Sequence, residues 1–201
     1  SGGTLNVSAG GSASFIAVSS GGTLNVLAGG GLDHSTDFAG GTTTVSAGGL
    51  AHDLAVSSGG PLRPSGPTPS TCTLASGGLE YVFSGGVASG TTVLGGGEQY
   101  VFSGGTTSAS MLSDLEVLNG SAIGTQVSSG GGLYVEAGGA ESGTAVASGG
   151  IEYVFGGALA TGATVNHGGE QYVFSGGLTS ASMLGGGAVL YGPATGPPVQ
   201  H

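Results

Sequence analysis

The residues best equipped for chemistry are carboxylates that recur beside an aromatic triplet. Glu80, Glu98, Glu152 and Glu170 each stand one or two places before Tyr-Val-Phe. Carboxylates in such numbers could do the acid–base work of a polysaccharide-degrading enzyme. An active site, however, gathers unlike residues at one place, whereas here one residue type is spread along the chain. No catalytic residue is expected, and the chain reads as non-enzymatic. With a repeat of about 19 residues, Glu80 falls over Gln99 and Leu79 over Glu98. That offset keeps like charges apart and reads as a device for solubility.

Metal and redox chemistry find equally little support. Calcium-binding nonapeptide solenoids use GGxGxD turns. None occurs here, and the four Asp are Asp33, Asp37, Asp53 and Asp114. The histidines His34, His52, His167 and His201 are scattered, which suits surface or corner positions; Asp33-His34 to Asp37 is the one stretch where donors crowd together. Cys72 is alone, so it has neither a disulfide partner nor a ligand-spaced neighbour for zinc. No metal and no cofactor is expected. Arg63 is the sole basic residue against eleven acidic ones, for a net charge of −10, so nucleic acid and anionic lipid are poor partners. No apolar run approaches the roughly 18 residues that span a bilayer. The chain opens at Ser1-Gly2-Gly3 without the charged and apolar regions of a signal peptide, which carries no weight in a segment of a longer, processed protein.

The elements that carry these residues follow from composition and period. Of 201 residues, 48 are Gly, and the charged share is 6%, where a soluble domain carries about 25%. That excludes an ordinary globular enzyme. Gly pairs recur at alternating spacings of about 8 and about 11 residues, from Gly2-Gly3 and Gly10-Gly11 through Gly168-Gly169 and Gly176-Gly177. A fixed period near 20 residues marks a solenoid. A longer echo overlies it: GGEQYVFSGGTTSASML at Gly96 returns as GGEQYVFSGGLTSASML at Gly168, with one difference in 17 positions.

Two aliphatic columns follow from the period. Val7, Val26, Val45, Val82, Val101, Val154 and Val173 stand four places after a Gly pair, Val18, Val56, Val93, Leu112, Val146 and Leu184 stand seven places after one, and Val127 stands seven places after Asn119-Gly120. Short segments rich in Val, Thr, Leu, Tyr and Phe between Gly pairs read as strands, and so much Gly argues against helix. The expected fold is all-β, a parallel β-helix of about 19 residues per rung. Rungs about 4.8 Å apart would bring equivalent residues together, with both columns inside. A single solenoid of about ten rungs is expected over residues 1–192, with a linker or tail over 193–201.

Strings such as GGTLNVSAGGSASFIAVSSGG from Gly2 and GGVASGTTVLGGGEQYVFSGG from Gly85 resemble the strand-loop-strand repeats of AIDA-type autotransporter passengers, which are bacterial surface adhesins. The resemblance implies a right-handed β-helix displayed outside a bacterial cell. It implies a role in adhesion, autoaggregation or biofilm, and O-linked heptose on Ser and Thr. The rival reading is a self-assembling filament or matrix protein without a specific receptor.

The four triplets hold eight aromatics: Tyr81 and Phe83, Tyr100 and Phe102, Tyr153 and Phe155, Tyr172 and Phe174. Strand alternation puts both rings of a triplet opposite the intervening Val. With Val inward, the rings form an outward ladder suited to lateral or end-to-end self-association or to cell-surface glycans and proteins. The other reading places the rings in the core or under a loop. Asn6 and Asn25, which hold the Tyr position in early repeats, favour the outward ladder. Thr42 to Thr44, Thr91, Thr92, Thr106, Thr107, Ser108, Ser110, Thr179, Ser180 and Ser182 suit either glycan attachment or hydroxyl ladders on a solvated face.

The pattern breaks at residues 61–76, PLRPSGPTPSTCTLAS. Pro64 stands where the inward Val belongs, and each Pro deletes a ladder donor, so this rung is expected to loop out or pair on one side only. It is read either as a hinge or as local decay of one repeat, with the phase recovered at Gly77-Gly78.

Overall fold

The computed structural model describes every residue except 1, 58–59, 66, 69–71 and 191–201, so the tail expected at 193–201 lies outside the described residues. The described residues form a parallel β-solenoid of about 19 residues per rung, with no helix. Eleven strands stack from Thr4–Val7 to Gly187–Leu190 in a first sheet, a second sheet also has eleven strands, and a third has seven. Register is direct: Thr4 pairs with Thr23 and Val7 with Val26, while Tyr81 pairs with Tyr100 and Val82 with Val101. In the early rungs the second and third arms run together as the seven-residue strands Gly31–Asp37 and Leu50–Val56.

At corners such as Gly138-Gly139 the two members of a Gly pair do different work. Gly138 takes φ +85, as the third residue of a tight turn closed by Gly139 N–H donating to Glu136 O at 2.8 Å. At Gly139 the constraint is space, because a Cβ there would collide with the carbonyl of Leu118 on the preceding rung. The first glycine serves the turn, and the second lets rungs stack.

The strands of the first sheet alternate, with their second and fourth residues buried. Val26, Val45, Val82, Val101, Val154 and Val173 are buried in the fourth position, with Val7 at the N-terminal end. Val18, Val56, Val93, Leu112, Val127 and Val146 line the second sheet, and Leu184 near the last turn is only partly buried against the core. The same columns include Val135, four places after Gly130-Gly131, and Leu118, Leu74 and Val165, which the Gly-pair spacing does not reach. Near Leu115 the rung is shorter: Glu98 pairs with Leu115 and Leu115 with Gly132, which shifts the count without breaking the column.

The Pro-rich strand neither loops out nor pairs on one side only. Pro61–Pro64 pairs with Thr42–Val45 on one side and with Leu79–Val82 on the other. A proline loses its donor but keeps its carbonyl. Phe83 N–H donates to Pro64 O at 3.3 Å, and Ser65 N–H donates to Val45 O at 2.7 Å. Leu62 and Pro64 are buried in the places that the pattern reserves for inward residues.

Candidate functional site

Because Val faces inward, parity sends the flanking rings out. Tyr81, Tyr100, Tyr153 and Tyr172 are half-buried, as are Phe155 and Phe174, while Phe83 and Phe102 are 37% and 38% exposed. Rungs one repeat apart bring like rings together. Tyr81 and Tyr100 lie 5.4 Å apart, Phe83 and Phe102 5.0 Å, Tyr153 and Tyr172 5.4 Å, and Phe155 and Phe174 4.8 Å, all stacked. Each such pair contributes about 0.5–1.5 kcal/mol beyond its buried area. The eight rings form two ladders, separated where Val117 takes the Tyr position.

The second ladder begins one rung before the first Tyr-Val-Phe of its block. Tyr134 sits 4.6 Å from Tyr153, in a Tyr-Val-Glu that the triplet search passes over. Its signal was there, since Tyr134 precedes Tyr153 by one repeat. Beside it lies a shallow depression lined by Asp114, Leu115, Tyr134, Ile151 and Tyr153. The sole Arg caps the other ladder, with the Arg63 guanidinium carbon 5.8 Å from the centre of the Tyr81 ring.

The carboxylates beside the triplets do not share one role. Glu98 and Glu170 lie on the outer face, where they accept from Tyr100 Oη at 2.5 Å and Tyr172 Oη at 2.7 Å. The bond to Glu98 pushes the Tyr100 phenol up to about 12. Glu80 and Glu152, one residue closer to the triplet, are fully buried. Solubility cannot be their purpose. The expected register is observed, with Glu80 against Gln99 and Leu79 against Glu98, but the Glu80–Gln99 pair faces the interior.

Inside, these acids form a polar column. Glu80 Oε2 accepts from Gln99 Nε2 at 2.7 Å and from Thr91 Oγ1 at 3.1 Å, and Ser110 Oγ donates to Gln99 Oε1 at 3.3 Å. Glu116 accepts from Thr107 Oγ1 at 3.0 Å, and Glu152 from Gln171 Nε2 at 2.8 Å. Burial pushes Glu80 and Glu116 up to about 7. It raises Glu152 well above the carboxylate range, helped by the neighbouring charge of Glu141. A carboxyl sealed in a solenoid is cheapest as the neutral acid. Glu141 and Glu152 sit close enough to interact directly, yet both are buried beyond the reach of a substrate.

No family model and no curated protein matches the chain. Among solved structures it is similar to the crystal structure of a TibC-catalysed hyper-glycosylated fragment of TibA, with 30% identity and a TM-score of 0.69, over 94% of this chain and 85% of that one. The chain belongs to the AIDA-type autotransporter passengers.

In this passenger segment the hydroxyl residues fall into two groups. Thr43, Thr91, Thr107, Ser110 and Thr179 are buried, so neither glycan attachment nor a solvated ladder describes them. The first four of them donate to Asp37, Glu80, Glu116 and Gln99. Thr42, Thr44, Thr92, Thr106, Ser108, Ser180 and Ser182 remain partly exposed. The donors from Asp33 to Asp37 also separate. Asp37 turns inward, where it accepts from Thr43 Oγ1 at 2.7 Å and burial pushes its carboxyl up to about 6, while Asp33 and His34 stay outside. His167 is exposed, Cys72 is buried, and His201 lies outside the described residues. No helix among the described residues is long and apolar enough to cross a membrane.

Proposed function

We propose that this chain is the rod of a non-enzymatic adhesin passenger displayed on the outside of a bacterial cell, and that its aromatic ladders are the interaction face. The single observation that carries this reading is the stacking of partly exposed Tyr and Phe rings in register along one side of the rod. Such an apolar strip suits the matching strip of a second rod, and its flat rings with flanking carboxylates equally suit the pyranose faces of a cell-surface glycan. Adhesion, autoaggregation and biofilm formation would follow from either contact. The similar TibA fragment is hyper-glycosylated. The outward hydroxyls of Thr42, Thr44, Thr92, Thr106, Ser108 and Ser180 are the acceptors open to O-linked heptose here.

The test replaces Tyr153, Phe155, Tyr172 and Phe174 with Ser together and compares sedimentation against concentration, and binding to cells and immobilised glycans, with the parent. An adhesin rod binds as a monomer and loses binding in the variant. A matrix filament polymerises with concentration and gives cross-β-like spacings. Unchanged association and unchanged binding would rule out the ladders as the interaction face.

A further inference from the structure

Asp33-His34 and His52-Asp53 carry the same two residue types in opposite order on adjacent rungs. Strands Gly31–Asp37 and Leu50–Val56 pair with Asp33 against His52. Each imidazole therefore meets a carboxylate on its own rung and another on the next. His34 Nε2 lies 3.2 Å from Asp53 Oδ2, and His52 Nδ1 lies 3.1 Å from that oxygen and 3.4 Å from Asp33 Oδ1. The remaining nitrogen, His34 Nδ1, lies 2.9 Å from Asp33 Oδ2.

These separations have the size of a coordination polyhedron. Tetrahedral zinc holds nitrogen and oxygen ligands at about 2.0–2.1 Å, which spaces the ligands about 3.3–3.4 Å apart. His52 Nδ1 lies 3.1 Å from Asp53 Oδ2 and 3.4 Å from Asp33 Oδ1, and one ligand atom from each of Asp33, His52 and Asp53 lies within 4.8 Å of the other two. Asp33 would ligate through Oδ1, while its Oδ2 lies 2.9 Å from His34 Nδ1 beside the site. The His52 imidazole disfavours calcium and magnesium, which take oxygen donors, and suits zinc-class ions.

The backbone concentrates these donors here and nowhere else along the described corner. Phe15, His34 and Asp53 hold one left-handed corner position with φ of 55, 47 and 50. In later rungs that position is Gly90, Ala109, Gly124, Gly143, Gly162 or Ala181. The Phe15 ring stacks on His34 at 5.3 Å and restricts its rotation. The side chains of Asp33, His34, His52 and Asp53 are 31–50% exposed, so an ion can enter from solvent.

We propose that Asp33, His52 and Asp53, with a water as fourth ligand, form a site for a zinc-class divalent cation that clips two neighbouring rungs together. The experiment uses the whole chain stripped of metal, titrated with Zn²⁺ by calorimetry and with Co²⁺ by visible absorption. Expected are one Zn²⁺ per chain, the intense visible bands of tetrahedral cobalt, and a thermal midpoint that rises with Zn²⁺ concentration. His52→Ala and Asp53→Asn should each weaken Zn²⁺ binding by about 10–100-fold or more, with the β spectrum in circular dichroism retained. His167→Ala should leave binding unchanged. Absence of saturable Zn²⁺ binding, six-coordinate cobalt bands, or binding that survives both His52→Ala and Asp53→Asn overturns the site.

Discussion

Leu24, Thr43 and Leu62, up to and including the Pro-rich strand, and Glu80, Gln99 and Glu116 beyond it, occupy a single inward column of the first sheet. The outward column next to it runs Asn6, Asn25 and Thr44 in the early rungs and Tyr81, Tyr100, then Tyr134, Tyr153 and Tyr172 in the later ones. The early region is thus mostly aliphatic in that inner column and polar outside, whereas the later region reverses the order on the same backbone. In both regions, like or complementary groups meet one rung away. Asn25 Nδ2 donates to Asn6 Oδ1 at 2.8 Å on the outer face, as Gln99 Nε2 donates to Glu80 inside. A parallel stack supplies every side chain with a neighbour at strand spacing, so polarity need not decide which face a residue occupies. It decides the protonation state instead.

The largest expected difference between the regions is their response to pH. The Glu80 and Glu116 carboxyls titrate near 4.5 in the unfolded chain and at about 7 in the rod. Below about pH 4.5 both states hold the proton and there is no penalty; between that value and about pH 7 the unfolded chain loses protons that the rod retains. Stability therefore falls as pH rises through this window and levels off above it, by about 3 kcal/mol for each of the two acids. Denaturant unfolding from pH 4 to 8 should show the fall, and a Glu80→Gln/Glu116→Gln variant should lessen it, leaving the part due to Asp37 and Glu152. A profile rising toward pH 7 would contradict the neutral-acid interior.

The other tests probe the contrast at single positions. Leu133, buried between Glu116 and Glu152 in the same column, should cost about 2–5 kcal/mol when changed to Ala. The same change at Leu5, 40% exposed on the terminal strand, should stay within about 0.5 kcal/mol. Equal costs would mean that the ends are as well packed as the middle. Gln171→Leu, although it matches the leucines of the column, should destabilise by about 1–3 kcal/mol because Glu152 loses its amide donor. A gain in stability there would show that the polar column contributes nothing. Tyr100→Ser should lose about 0.5–1.5 kcal/mol in thermal or chemical unfolding, the worth of its stack on Tyr81. Asn25→Ala, exposed and in the other region, should lose less than that.

Much of this was legible along the chain. The Gly-pair period foretold the solenoid and the Glu80–Gln99 register, because the turn that a Gly pair makes sets the length of each rung. Parity also separates Glu80 from Glu98, since one stands an odd and the other an even number of places before Tyr. Residue type alone points both to the surface, since acids usually face water, and parity is the signal that separates them. The reversed pair Asp33-His34 and His52-Asp53 is likewise readable as one repeat apart, whereas Asp37, nearer to His34 along the chain, is carried inside by the second-sheet column.

By itself, the sequence determined the strand length, the corners, the stacking order and which residues become neighbours, because a repeat with glycine corners has one way to satisfy its backbone hydrogen bonds. What only the tertiary structure decided was the use of those neighbours. Arms closing around one interior bring Thr91 to Glu80 and Ser110 to Gln99 from the bend before the second sheet, and Thr43 to Asp37 from one sheet to another. Those partners depend on the angle at which the arms close, which no period along the chain encodes. They are also why buried acids are tolerated, and why a proline strand could keep its place in the stack.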